Sequence, residues 1–362
     1  MSGPTSADAA AAAAGAAGKV YRIGTRSSQL AMIQTNIVRS ALLARHPDAT
    51  FEITAMKTMG DKDKVTALHS FGAKSLWTME LETLLLDGEV DLIVHSLKDM
   101  PTQLPAGCAI GSILEREDPR DALVMKAGSP HRTLADLPPG STVGTSSVRR
   151  GAQILARHPH LRLANVRGNI DTRLRKLDDP EGPYECIILA AAGLLRIGSH
   201  HRITAYLSAP TMLHAVGQGA IGIEIRDGDA DVAALVAPLS HAPTMTCCLA
   251  ERQLMRTLEG GCSVPIGVET KFLEADPAGT GEGDRVHVRA SVSSVDGTRC
   301  VEVEDTFSLN DGGAPRAEEV GRLVAQRMLE RGAGVLLEEI QKSKDAEAEA
   351  ETAAAGEPAV EQ

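Results

Sequence analysis

Residues 258–267 read LEGGCSVPIG, a thiol held between two glycines and a Ser-Val-Pro. Glycines let the backbone turn sharply and let another group come close, so Cys262 reads as a thiol presented for covalent chemistry. A small apolar side chain filling a turn is the competing reading, because free cysteines are among the most buried residue types. In VDLIVHSLKDMP, Lys98 and Asp99 follow an apolar run. Ligands bind at strand C-termini in open parallel sheets, and a carboxylate aimed at a developing cation in a water-poor cleft stabilises it strongly. A loop carboxylate paired with its lysine neighbour fits these residues equally well. IGTRSSQLA and VGTSSVRR each place a Gly-Thr-Ser turn before a helical pattern. Backbone N–H groups and serine hydroxyls at a helix start form an anion site, or simply cap the helix. Arg26 lies inside the first turn, and Arg149 and Arg150 follow the second.

Basic residues concentrate further along. Between Val148 and Leu177 stand eight Lys or Arg residues against one acid, Asp171. Arg157, Arg162 and Arg175 suit an ordinary solvated helix face. RGNIDTR instead sets Arg167 and Arg173 around a Gly-Asn turn, where guanidinium forks can grip carboxylates bidentately. A ligand bearing several carboxylates fits this pattern better than a phosphodiester backbone.

The elements that must position these groups come in two similar halves. VYRIGTRSSQLAMIQTNIVRSALL and STVGTSSVRRGAQILARH both read as strand, Gly-Thr-Ser turn and helix. Each is followed by an apolar strand ending in polar or glycine-containing sequence, within EVDLIVHSLKDMP and YECIILAAAGLLRIG. Apolar strands alternating with helices predict α/β domains with parallel sheets covered on both faces. LEREDPRDAL is a charged, proline-containing junction, and HAVGQGAIGIEIRD reads as a second crossing that ends in a strand. Beyond residue 240 the pattern changes to a helix, alternating strands (VHVRASVSS, CVEVEDTFS) and one final helix, a smaller α+β domain. Residues 1–19 and the acidic, Ala-rich 344–362 read as disordered tails.

Composition narrows the function. At 362 residues the chain has room for two or three domains. A net charge of −11 argues against general adhesion to nucleic acid or anionic membranes. An aromatic content of 2% leaves little for base-stacking platforms. The six cysteines show no C-x-x-C pair, and the N-terminus has neither a secretory nor a transit pattern, so reduced thiols in a cytoplasmic protein are expected. Gly217–Gly222 matches G-x-G-x-x-G, but a strand pattern follows where a nucleotide site needs a helix. His95 reads as structural and His158-Pro159-His160 as a poor ligand pair, so no metal is expected.

IGTRSSQLA, VDLIVHSLKDMP, EREDPRDAL, VGTSSVRR, VRGNIDTRL, ILAAAGLLRIG, AVGQGAIGIE and LEGGCSVPIG, in this order from about Val20 to Ile340, resemble the porphobilinogen deaminase family. The resemblance implies two periplasmic-binding-protein-like α/β domains, residues 20–114 with a return segment 216–239 and residues 115–215, plus a third α+β domain over 240–343. It implies a covalent dipyrromethane cofactor, held through a thioether on Cys262. The implied activity is head-to-tail condensation of four porphobilinogen molecules with release of ammonia, giving hydroxymethylbilane. Asp99 matches the family's catalytic aspartate. Lys98, Thr145, Ser147, Arg149, Arg150, Arg167 and Arg173 match cofactor-binding positions, and Arg26, Ser28, Lys74, Ser96 and Arg196 substrate-binding ones. Around Lys74, Ala73 and Met79 depart from the family pattern. A monomer is implied. A non-catalytic two-domain binder of a polycarboxylate is the other reading, because the paired α/β architecture serves both.

Overall fold

The computed structural model describes residues 18–57, 78–258, 264–275, 283–309 and 313–355. The first sheet has the order β2-β1-β3-β10-β4. It is built from β1 (Val20–Arg26), β2 (Thr50–Met56), β3 (Leu92–Ser96), β4 (Cys108–Ile113) and β10 (Ile221–Arg226). Helices α1 (Gln29–Arg45), α2 (Met79–Leu86) and α6 (Ala230–Val236) accompany it. The second sheet has the order β7-β6-β8-β5-β9, from β5 (Asp121–Met125), β6 (Thr142–Gly144), β7 (Arg162–Ala164), β8 (Cys186–Ala190) and β9 (Ala205–Leu207). Its helices are α3 (Val148–Arg157), α4 (Ile170–Asp178) and α5 (Ala191–Arg196).

Apolar alternation explains why these strands are buried on both sides. Along β5 and β8, Leu123, Met125, Cys186 and Ile188 enter one core cluster while Ala122, Val124, Ile187 and Leu189 enter another. Each fully buried Leu or Ile contributes about 1.5–3 kcal/mol relative to exposure, so neither face of this sheet can be left to water.

The sheets are mixed, where the sequence pattern predicts parallel ones. In the first, β10 runs antiparallel to β3 and β4; in the second, β5 runs antiparallel to β8 and β9. The reason is connectivity. β5 and β10 are the strands through which the chain enters the second domain and returns from it, so no βαβ crossover sets their direction. All other neighbours within each sheet run parallel, and the C-terminal ends of β1, β3, β6, β7 and β8 carry the loops singled out above.

The third domain packs α7 (Ala242–Thr257) and α8 (Gly313–Glu330) on an antiparallel sheet of β11 (Ile266–Leu273), β12 (Arg285–Ser293) and β13 (Cys300–Ser308). The single final helix expected from the pattern is two, α8 and α9 (Ala333–Ala355), broken at Gly332 with φ +94°. That conformation is available to glycine at little cost. α9 also continues through residues 344–355, where a disordered tail was expected; this Ala- and Glu-rich stretch is made of strong helix formers.

Both crossings between the α/β domains meet at Gly219. It has φ +88°, and a Cβ there would lie 2.3 Å from the Glu117 carbonyl oxygen. Gly219→Ala is therefore expected to destabilise the protein by at least about 2 kcal/mol, from left-handed strain plus a backbone clash. A denaturant midpoint unchanged from wild type refutes this.

Candidate active site

The first wall of the site grows from β1 and β3. After β3 the chain makes one 3-10 turn, Leu97–Asp99, and stops because Pro101 drives Met100 into extended backbone (φ −77°, ψ 137°). Leu97 and Met100 anchor this turn in the core, leaving Lys98 and Asp99 half-buried at its rim. Arg26 ends β1 and places Nη1 3.8 Å from Asp99 Oδ2, an ionic contact too long for a hydrogen bond. Ser28 caps α1, its Oγ accepting from the Ala31 amide at 3.4 Å. Ser96 donates to Gln34 Oε1 at 3.0 Å. Arg26, Ser28, Gln34, Ser96 and Asp99 line one cavity, with His95 at its back.

The second wall comes from the loops after β6 and β7. Thr145 Oγ1 accepts from the Ser147 amide at 3.2 Å, and Ser147 caps α3 by accepting from the Arg150 amide at 3.4 Å. Asn169 caps α4 and the Arg173 Nε donates to the Gly168 carbonyl at 2.7 Å. Arg167 Nη1 is buried with no hydrogen-bond partner. Arg157 and Arg175 are exposed on α3 and α4, as a solvated helix face requires; Arg162 is exposed too, but it opens the strand β7 and not a helix.

Arg149 and Arg150 behave differently from expectation. Both are buried, and their partner is a carboxylate of the protein itself. Arg149 Nη1 lies 2.8 Å from Asp121 Oδ2, and Arg150 donates through Nε and Nη2 to Asp121 Oδ1 at 3.0 and 2.7 Å. Gln218 Nε2 donates to the same Oδ1 at 2.9 Å. Burial alone would raise the Asp121 carboxyl, but Arg149 and Arg150 outweigh it and hold the group well below the carboxylate range. Sequence reading missed Asp121, Gln34 and Gln218. A signal existed for Asp121, an acid opening the apolar strand DALVM.

Other placements are mixed. Arg196 donates to the Gly219 carbonyl at 2.7 Å, so at least one of its donors serves the crossing segment. Cys262 and Lys74 lie outside the described residues, as does Ala73. Met79, the other departure noted around Lys74, opens α2 and is exposed.

Positive charge is crowded here. Burial lowers Lys98 to about 8, with Asp99 opposing and Arg150 adding to the effect. Burial lowers Arg173 to about 10, aided by Arg150 and Arg167 and opposed by Asp99. Among the described residues, Arg26, Lys98, Arg149, Arg150, Arg167 and Arg173 gather around the carboxylates of Asp99 and Asp121, six cations beside two carboxylates. An uncompensated cluster of this kind calls for an anionic ligand.

Fold and site together define a two-lobed α/β protein with a third domain, built to hold a polycarboxylate beside one accessible carboxylate. The family model "porphobilinogen deaminase, dipyromethane cofactor binding domain" matches residues 21–234, and the model for the porphobilinogen deaminase C-terminal domain matches residues 245–330. The porphobilinogen deaminase of Yarrowia lipolytica is 52% identical over 89% of this chain and 93% of its own length. That of Saccharomyces cerevisiae is 48% identical over 89% and 97%. The chain belongs to the porphobilinogen deaminase family. It is accordingly an enzyme of tetrapyrrole biosynthesis that acts on porphobilinogen with a dipyrromethane cofactor. Among solved structures, the periplasmic VFT2 domain of Bordetella pertussis BvgS covers 65% of this chain and 92% of its own, with TM-score 0.37 and 12% identity; nothing further follows from so slight a likeness.

The residues present fit that cofactor. Two pyrroles, each with an acetate and a propionate, bring four carboxylates to a cluster with four surplus cations, one of whose nitrogens, Arg167 Nη1, is buried and unpartnered.

Asp121 sets an acid limit. Its folded value is depressed, so the stability it contributes is complete above the ordinary carboxylate pKa near 4 and is lost as pH falls below it. Asp121→Asn is expected to cost about 3–5 kcal/mol at pH 7 by leaving two buried guanidiniums uncompensated, and to flatten the stability profile below pH 4. Equal stability of mutant and wild type at pH 7 in urea titrations contradicts this.

Proposed function

We propose that Asp99 is the catalytic carboxylate of a porphobilinogen condensation primed on Cys262. The observation that supports this most directly is the Asp99 carboxylate at the cavity rim, held by Arg26 at 3.8 Å and surrounded by a surplus of cations. The substrate's aminomethyl carbon releases ammonia, the C–N electron pair leaving with nitrogen, and the pyrrole nitrogen delocalises the resulting positive charge. Asp99 stabilises that cation, which is worth far more in a desolvated cleft than in water. The cofactor, when bound, would supply a free pyrrole α-carbon as the nucleophile, and Asp99 would accept the proton released as the new C–C bond forms. Arg26, Ser28, Ser96, Lys98, Thr145, Ser147, Arg167 and Arg173 orient acetate and propionate groups, with Arg196 and Lys74 completing the substrate contacts.

Arg149 and Arg150 act on the same ligand while bound to Asp121, as a fixed positive floor. After four additions, water would attack the carbon that joins the four new rings to the primer; that C–C bond breaks, the four-pyrrole hydroxymethylbilane leaves with its hydroxyl from water, and the primer stays on the protein. The thioether to Cys262 agrees with the state of four of the five other thiols, the fifth, Cys300, being exposed at the start of β13. Burial pushes Cys186, Cys248 and Cys108 up to about 12 and Cys247 to about 11, so none of these four presents a thiolate. We further propose a cytoplasmic monomer that uses neither metal, nucleic acid nor membrane.

Intact mass of denatured wild type beside Cys262→Ser tests the attachment. One two-pyrrole adduct is expected in wild type only, and its persistence in the serine variant refutes the assignment. Asp99→Ala is expected to keep its fold and its adduct yet lose about 10²–10³-fold in kcat; near-normal turnover refutes the role. Burial lowers Lys98 to about 8 before the cofactor is in place, so adduct formation by the cofactor-free protein should slow as pH rises through that value. In Lys98→Arg the fall should move well above it, and an unchanged profile removes Lys98 from cofactor binding.

A further inference from the structure

Arg252 lies in the middle of α7 and is 2% exposed. Among the described residues no carboxylate pairs with it. Its Nη1 donates to the Met100 carbonyl at 3.4 Å, and its Nη2 to the carbonyls of Pro101 and Thr102 at 2.5 and 3.4 Å, while Nε is buried without a partner. One turn on, Arg256 Nη2 donates to Thr102 at 2.6 Å. Burial, with Arg256 second, lowers Arg252 to about 10. A buried guanidinium held only by carbonyls is costly, and all three carbonyls belong to the three residues that follow Asp99.

The preceding residue, Glu251, is fully buried and holds the domain crossings. It accepts from Arg116 Nη1 and Nη2 at 2.6 and 3.0 Å, from the Gly217 amide at 2.7 Å and from Thr270 at 2.5 Å. Adjacent residues of α7 therefore grip both crossing segments and the Asp99 turn. The same helix ends at Thr257, five residues before Cys262 in the sequence.

We propose that Arg252 is a positioning residue: it fixes the Asp99 turn against α7, so that the carboxylate keeps one position through every addition. A guanidinium suits this role because its planar fork reaches several carbonyls at once, which an ammonium does not match. Lengthening of the chain is then accommodated away from this contact. The inference rests on the assignments of Asp99 and Cys262 above.

The test compares full-length, cofactor-loaded wild type with Arg252→Met, Arg252→Lys, Arg256→Met and Asp99→Ala. Readouts are kcat, KM, adduct mass, unfolding midpoint and hydrogen exchange of the Leu97–Met100 amides. Arg252→Met is expected to keep its adduct, hold KM within about twofold and lose about 10–100-fold in kcat, the range that a displacement near 1 Å produces. Its Asp99-turn amides should exchange faster, and Arg252→Lys should recover part of both effects. Arg256→Met should show the same split at about threefold. Unchanged kcat and exchange in Arg252→Met, or a loss confined to KM, overturns the proposal. If Arg252→Met does not fold, Arg252→Lys and Arg256→Met decide: reduced kcat at constant KM supports the proposal, and unchanged kcat in both overturns it. An active Asp99→Ala would instead remove the catalytic assignment, whereas an inactive Asp99→Ala beside undisturbed arginine variants removes the positioning role alone.

Discussion

One buried carboxylate, Asp121, underlies the geometry of the site. It starts the strand by which the chain enters the second domain, and it binds Arg149 and Arg150 at the head of α3 and Gln218 from the returning segment. Three stretches far apart in sequence thus converge on two oxygens. Such an arrangement gains little over an apolar replacement of the whole cluster, but breaking it by removing one partner is expensive. Its consequence is directional: the first turn of α3, with the Ser147 cap, is fixed in place, and its two guanidiniums are held close enough to Lys98 to add to the lowering that burial imposes on it.

The distribution of charge follows the same logic. The whole chain carries −11, yet six cations gather around two carboxylates in the cleft. A net negative chain repels polyanions in general, while the local surplus suits the carboxylate-rich ligand proposed for it. Desolvation sharpens this selection, because Lys98 and Arg173 are lowered by burial and recover stability when an anion arrives. The cleft keeps one carboxylate, Asp99, outside any tight salt bridge, its Oδ2 3.8 Å from Arg26, and the catalytic role proposed for it depends on that freedom.

Glu251 and Arg252 extend this order to the third domain. One side chain secures the crossings and the next secures the Asp99 turn, so a single helix relates all three domains. The growing product must move, and these buried contacts mark the part of the structure least free to move with it.

Much was legible in the residue pattern. Strand–turn–helix repeats, the serine caps, the solvated Arg157, Arg162 and Arg175, and the turn bearing Asp99 all follow from local periodicity, capping and proline chemistry, which act over a few residues. Strand direction in β5 and β10, the break at Gly332 and the helical course of residues 344–355 were read less well, because connectivity and competing propensities decide them. The partners of Arg149, Arg150, Arg196 and Arg252 were not legible at all. Sequence by itself determined that a thiol, a carboxylate and a cluster of arginines belong to one chain of paired α/β domains. Which arginines are held by Asp121 and which brace the backbone was decided only by tertiary structure, because a guanidinium's role depends on carboxylates and carbonyls that folding brings from 23 residues away for Arg196 to 152 for Arg252.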